Sequence, residues 1–321
     1  MNMLKISRRQ FVQSLAATSI TTSQFCNRAI NAAERKDKNK RKIRLGFSLY
    51  GMRKLKTNEA LRTCASIGYK SVELVATAGW PCDPKLLTAI ERRDLSKQIE
   101  DSGLHLSSLM ENLHVVVDAN KRKQNLDRLK AACDLAHDLA PQDPPLIETV
   151  LGGRASQWES LKSQLASGLG EWAKVVEQQK VMLAIKAHVG GALHRPNDAV
   201  WLVKEVGSDW VKLNYDFSHF QLYDFDLEKS LNTMLDHTVF IHAKDTKGKA
   251  GNFQFLLPGE GNIDYRKYSN ILHQRNYSGS VMVEVSGQIH GRPGYDPITA
   301  AKTGYQNLAR YFGSASLNSG R

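Results

Sequence analysis

The chain has 321 residues, 41% of them apolar and 24% charged, with a formal net charge of +12. These proportions suit an ordinary globular protein, and no run approaches the roughly 18 consecutive apolar residues that a membrane span needs, so no stable membrane insertion is expected. The positive charge is concentrated at one end. Residues 1–42 hold ten Lys/Arg against two Asp/Glu, whereas residues 43–321 hold 34 against 30. The main body is near balance, and no nucleic-acid partner is expected.

In the basic segment, Ser7-Arg8-Arg9-Gln10-Phe11-Val12 opens a mildly apolar stretch, followed by small residues around Asn31-Ala32-Ala33 and then a Lys/Arg run. This resembles a twin-arginine export signal (pattern S-R-R-x-F-L-K), with Val12 and Gln13 at its Leu and Lys positions. The resemblance implies a signal over residues 1–33 that is removed, a basic linker over 34–42, and a periplasmic or extracytoplasmic location; such a segment is set aside in reasoning about the fold. The route exports proteins already folded, which suits an enzyme that must first acquire a particular metal. Cys26 leaves with the signal. Cys64, Cys82 and Cys133 lack C-x-x-C spacing and are expected as buried thiols.

From there, strand and helix patterns alternate. Ile43–Ser48 reads as a strand, Thr57–Ile67 as a helix closed by Gly68, and Lys70–Val75 as a second strand containing Glu73. A helix over Asp94–Ser102 ends at Gly103, and Leu104–Met110 is a third strand. Lys121–Leu139 spaces Leu126, Leu129, Cys133 and Ala136 along one helical face. Strand four, Leu146–Leu151, precedes a helix over Gln157–Gln179 and strand five, Val181–Ala187. Pro196 suits a helix opening; Trp210–Asp216 is strand six, Leu227–Met234 a helix, and Thr238–Ala243 strand seven. A long loop, Lys244–Asp264, contains four glycines and reads as a lid. Tyr265–Arg275 is a helix, Ser280–Val285 strand eight, and Pro297–Phe312 the last helix. Eight strands, each followed by a helix, predict a single (β/α)8 TIM barrel over residues 43–313, with a disordered tail over 314–321. No G-x-G-x-x-G follows the first strand, which disfavours an open doubly wound sheet.

Asp216, His242 and Glu284 end strands six, seven and eight, which are neighbours in such a barrel, so their side chains converge on its C-terminal rim. Two carboxylates and an imidazole suit a divalent metal: Mn, Mg, Co or Zn. Any one of them alone would rather cap the following helix.

The Asp-x-x-His of Asp216 and His219, the His-x-Lys-Asp of His242–Asp245, the Pro-Gly-Glu-Gly-Asn-Ile-Asp of Pro258–Asp264 and the Val-Glu-Val around Glu284 resemble the xylose isomerase-like TIM barrels. That superfamily of sugar isomerases and epimerases includes D-tagatose 3-epimerase and, more distantly, endonuclease IV. The resemblance implies a small-molecule carbohydrate substrate, metal ligation by Asp216, His242 and Glu284, proton transfer by Glu284, and substrate contact by His219. It breaks on strand five, where Lys186 stands at the place of a glutamate that is both ligand and base. An ammonium cannot ligate a cation. His188, two residues on and on the same strand face, is the candidate fourth ligand, with Glu148 or water as alternatives. Lys186 is then a neutral amine base, its pKa lowered by burial and a dication; a cation that stabilises an enolate; or a filler of a lost metal site paired with Glu284. Further substrate-binding candidates are Lys244, which shares the inward direction of His242, Glu73 and His114 near the ends of strands two and three, and Trp80 and Phe253 in rim loops.

The function expected is a metal-dependent sugar isomerase or epimerase working through an enediolate. Without the second glutamate, β-elimination from a keto-sugar or keto-glycoside is the alternative. An endonuclease IV-like repair enzyme would need a basic groove, and a non-catalytic sugar-binding barrel would bind sugar without metal. The sequence is compatible with a homo-oligomer. The export reading makes its own prediction: residues 1–42 fused to a folded reporter carry it out of the cytoplasm, and Arg8→Lys with Arg9→Lys abolishes export. Unchanged export of the double variant would sink the reading.

Overall fold

The computed structural model describes residues 43–313. The expected signal (1–33), linker (34–42) and tail (314–321) lie outside the described residues.

Apolar segments form strands and amphipathic segments form helices in alternation: β1 (Arg44–Ser48), α1 (Thr57–Ile67), β2 (Ser71–Val75), α2 (Ala89–Ser102), β3 (His105–Met110), α3 (Ala119–Leu139), β4 (Leu146–Thr149), α4 (Trp158–Gln179), β5 (Leu183–Lys186), α5 (Pro196–Val206) and β6 (Val211–Tyr215). Then come a five-residue helix α6 (Phe217–Gln221), α7 (Leu227–Met234), β7 (Thr238–Ala243), β8 (Asp245–Lys249), β9 (Asn252–Leu256), α8 (Tyr265–Gln274), β10 (Ser280–Val283), α9 (Gly287–His290) and α10 (Pro297–Phe312). The boundaries have local causes. Gly68, at φ 114°, ends α1 in a left-handed conformation that side chains rarely adopt. Helix α2 starts earlier than expected because Thr88 and Glu91 cap one another, each side chain accepting the other's backbone N–H.

Strands β1–β7 and β10 close into one parallel barrel in the order β1-β10-β7-β6-β5-β4-β3-β2, the expected (β/α)8 architecture. Strands enclosed on both faces need no polar alternation, and β2 is buried along its whole length. The main core lies between barrel and helices, with Leu74, Leu129, Ala136, Leu213 and Val281 fully buried. Ala184, Phe240 and Met282 form a separate buried cluster on β5, β7 and β10. We read it as an inner floor of the kind that side chains from alternate strands build in such barrels.

The stretch expected as a lid loop contains an antiparallel hairpin, β8 with β9. It is tied down: Thr246 Oγ1 donates to Gln221 Oε1 (2.8 Å) and the Phe255 N–H to Gln288 Oε1 (2.8 Å). The returning chain is pinned by Asp245, whose carboxylate accepts the N–H groups of Gly259 (2.6 Å) and Ile263 (3.1 Å). This explains a glycine of the Pro258–Asp264 motif, because a Cβ on Gly261 would lie 2.6 Å from Asp245 Oδ1.

Phe240→Ala leaves a void in the floor beneath the polar layer. The expected loss is about 3–5 kcal/mol of unfolding free energy, read as a lower denaturant midpoint at unchanged m-value; a loss under about 1 kcal/mol would show that the floor repacks freely.

Candidate active site

Above the floor the inward-facing positions are polar. Strands β5, β6 and β7 contribute Lys186, Asn214 and His242, and Lys186 pairs in register with Asn214. Strands β2 and β4 add Glu73 and Glu148. All five are buried, Lys186 at 4% exposure being the most open. One step higher, just past β6, β7 and β10, stand Asp216, Lys244 and Glu284, also buried.

These groups form one network. His242 places Nε2 3.1 Å from Glu73 Oε2, and since a carboxylate only accepts, the ring donates there. Glu73 also accepts from Ser108 Oγ at 2.8 Å. The other ring nitrogen, Nδ1, faces Lys186 Nζ at 2.9 Å and Asn214 Nδ2 at 3.2 Å. Lys186 Nζ lies 3.3 Å from both Glu148 Oε1 and Glu284 Oε1. Lys244 Nζ bridges Asp216 and Glu284. Asp216 divides its oxygens: Oδ1 caps α6 by accepting the Ser218 N–H (3.2 Å), and Oδ2 holds Lys244.

Burial works against every charge here, and the partners decide the outcome. For Lys186, Glu148, Glu284, Asp216 and Glu73 overcome burial and raise the pKa, so it stays an ammonium and not the neutral amine considered above. Burial would raise Glu284, but Lys186 and Lys244 hold it well below the usual carboxylate range; Lys244 and His219 do the same for Asp216. Glu148 goes the other way: burial outweighs Lys186 and raises its pKa. For His242, burial and Lys186 disfavour the second proton, but Glu73 and Glu284 prevail and lift the pKa to about 9.

Asp216, His242 and Glu284 each offer a ligand atom within 4.8 Å of the others, which makes them, among the described residues, the candidate metal site. His188, expected as the fourth ligand, is not in this group. Strand β5 stops at Lys186, so the period-two alternation no longer governs His188; its Nδ1 instead accepts the Gly190 N–H (3.1 Å) and its ring packs 4.2 Å from that of His219. The group meets the distance condition for a dication but not the charge condition, because two buried ammonium groups already hold its oxygens. Unit charges of like sign 4 Å apart repel by about 4 kcal/mol in a protein-like medium, and a dication doubles that. As the side chains stand, the residues do not fit a dication.

A cavity of about 600 Å³ opens over the network, with Lys186, Glu148, Glu284 and His188 in its wall. His114 and Trp80, both expected at the rim, line it too. Trp80 stacks on Tyr50 (5.1 Å between rings) beneath the Arg53 guanidinium. Asp216, His219, His242, Lys244 and Glu73 do not line it. Glu73 sits in mid-strand under His242. His219, turned back by α6, accepts the Val189 N–H at 3.3 Å. Lys244 is covered by the Phe255 ring at 5.1 Å, and Phe253 packs against Phe255. Tyr50, Arg53, Glu111 and Asn112 also line the cavity and were not anticipated. They come from segments following β1 and β3, where the sequence has no periodic signal.

Residues 61–311 match the family model described as a xylose isomerase-like TIM barrel. L-ribulose-5-phosphate 3-epimerase UlaE of Shigella flexneri serotype 5b (strain 8401) is 22% identical over 255 residues, covering 75% of this chain and 86% of that protein. Among solved structures, the IolI protein with a zinc atom superposes with a TM-score of 0.70 at 19% identity, covering 84% of this chain and 99% of that one. The 3-keto-D-glucoside 4-epimerase YcjR from E. coli superposes with a TM-score of 0.64 at 15% identity, covering 83% and 98%.

His219 carries a pH prediction. Burial first, and then Lys244, lower its pKa from 6.5 to about 4. Between those values the unfolded chain binds a proton that the folded chain refuses, so stability is intact above pH 6.5 and falls as the pH drops through the window. The slope from this one group is at most about 1.4 kcal/mol per pH unit. His219→Asn, which keeps an acceptor for the Val189 N–H, is expected to flatten the fall in Tm between pH 6.5 and 4; an unchanged slope would contradict the assignment.

Proposed function

The chain belongs to the xylose isomerase-like TIM barrel family, and we propose that it is an isomerase or epimerase of a small carbohydrate, moving a proton on the carbon beside a carbonyl through an enediolate. The observation that carries this is the Glu284 carboxylate beside the Lys186 ammonium in the wall of the cavity. A base next to a fixed positive charge is what the reaction needs, because the proton leaves as negative charge builds on the neighbouring oxygen. Glu148 faces the same cavity on the other side of Lys186. The two carboxyl groups have pKa values pushed in opposite directions, downward for Glu284 and upward for Glu148. That separation suits a base and an acid acting on one substrate.

Glu284 is a weak base while both lysines hold it. A substrate oxygen that takes a Lys186 N–H removes part of that hold and returns Glu284 toward ordinary carboxylate basicity. Binding and activation are then one event. The Trp80–Tyr50 stack offers an apolar face for a sugar ring, and the relatives named as ribulose-phosphate and keto-glucoside epimerases support a carbohydrate substrate.

Two finer readings have specific support. A divalent ion on Asp216, His242 and Glu284 would supply Lewis-acid charge at the rim only if the two lysines released those oxygens. The three converging ligand atoms and the zinc atom of the IolI structure favour it, and the two lysines oppose it. Second, if the next carbon bears a leaving group, the same proton abstraction would end in β-elimination, with Glu148, which lines the same cavity, as the acid for that group. Export by the twin-arginine route is proposed on Ser7–Val12 alone.

Free keto-sugars and keto-glycosides incubated with the protein in deuterated water are expected to gain deuterium beside the carbonyl. Glu284→Gln is expected to slow this by about 10²–10⁴-fold while circular dichroism and Tm show an intact fold. Equal exchange by the variant would rule out Glu284 as the base.

A further inference from the structure

We infer that Lys244 and Lys186 divide between them the work of a divalent cation: Lys244 holds Asp216 and Glu284 together, and Lys186 presents positive charge to the substrate oxygen. The second half rests on the isomerase reading; the first does not. The division follows from what each ammonium touches and from which one the cavity reaches.

Lys244 Nζ binds the Asp216 and Glu284 carboxylates together, two of the three candidate metal ligands. It is 2% exposed, is absent from the cavity wall, and has the Phe255 ring 5.1 Å away on a hairpin that is itself tied to the barrel. A group so enclosed has no access to substrate. It neutralises and spaces the ligands, which is the structural half of a metal's task.

Lys186 is in the cavity wall. Three groups surround the Lys186 ammonium: the Glu148 carboxylate at 3.3 Å and the Glu284 carboxylate at 3.3 and 3.4 Å from its two oxygens face it as acceptors, and His242 Nδ1 lies 2.9 Å away. The contact with Glu284, at the same 3.3 Å as that with Glu148, is divided between two oxygens, neither of which holds the N–H alone. It is therefore the one a substrate oxygen displaces most easily, and it faces the group that must become a base. The ligand class implied is a vicinal hydroxy-ketone, or an uncharged or singly charged mimic of its enediolate such as a hydroxamate.

The test titrates MnCl2 or ZnCl2 alone into the full-length protein after chelator treatment, by calorimetry and elemental analysis, beside Asp216→Asn and Lys186→Glu. Wild type is expected to show no saturable site in common with the candidate ligands, so that Asp216→Asn binds no less metal than wild type. Lys186→Glu, which swaps one ammonium for a carboxylate, is expected to gain about one metal per chain and to melt higher when the metal is added. Saturable binding of one metal by wild type that Asp216→Asn loses would overturn the inference. If Lys186→Glu does not fold, the wild-type and Asp216→Asn titrations still decide. The metal measurement stands whether or not any sugar is turned over, so a metal-free protein without sugar chemistry would keep the Lys244 assignment and remove the isomerase reading. Where turnover is found, it is expected to be unchanged by chelator; its loss in chelator and recovery with added metal would overturn the assignment of both lysines.

Discussion

Two ammonium groups enclosed among carboxylates at the mouth of a parallel barrel impose the conditions that the surrounding structure meets. Taking charges out of water costs several kcal/mol per ion, and a buried pair that loses one partner is destabilised by roughly 3–5 kcal/mol. Lys186 and Lys244 are tolerated because several strands each deliver a counter-group: β2 and β4 from below, β6 and β10 from the sides and above. A helical surface or a loop could not place Glu73, Glu148, Asp216 and Glu284 around two points this closely. The barrel can, because neighbouring parallel strands keep fixed register and their inward positions are stacked in layers. The apolar cluster of Ala184, Phe240 and Met282 and the tied hairpin with Phe255 limit access of water to this network, so each charge–charge interaction acts in a medium of lower polarity.

Much of this was legible in the sequence, for a definite reason. Each of Asp216, His242 and Glu284 follows an apolar run of strand length, and three such endings in succession indicate a rim. The departure at Lys186 was legible as well, being a cation where the resemblance implies a ligand. The pairing of Lys186 with Glu284 was among the readings; its contacts with Glu148 on β4 and His242 on β7 were not legible, since the fold alone brings those strands together. His188 failed as a ligand because a two-residue alternation was extended past the point where β5 ends. Glu73 was read near a strand end, but it is the middle residue of β2 and points under His242. The hairpin was hidden by its glycines: Gly248, at φ 100°, lies within β8 opposite Phe253, and Gly251, at φ 94°, lies in the turn to β9, and in sequence they suggest only a loose loop.

The charge arrangement also bears on how such a site separates substrate from transition state. On the proposed mechanism, the ammonium that depresses the basicity of Glu284 is also the one that a substrate oxygen engages. In that mechanism the Lys186–Glu284 contact holds the basicity of Glu284 down until substrate binds. When a carbonyl oxygen takes that N–H, the stabilisation moves from the carboxylate to the substrate, and it grows as the oxygen becomes an oxyanion. An interaction that strengthens along the reaction lowers the barrier in a way that uniform binding does not. Lys244, fixed on the far side of Glu284 and out of reach of the substrate, keeps the carboxylate oriented while its other partner is exchanged. On this view the two lysines are unequal by design of the fold: one is enclosed so that the base stays in place, and the other is open to the cavity so that the charge can change hands.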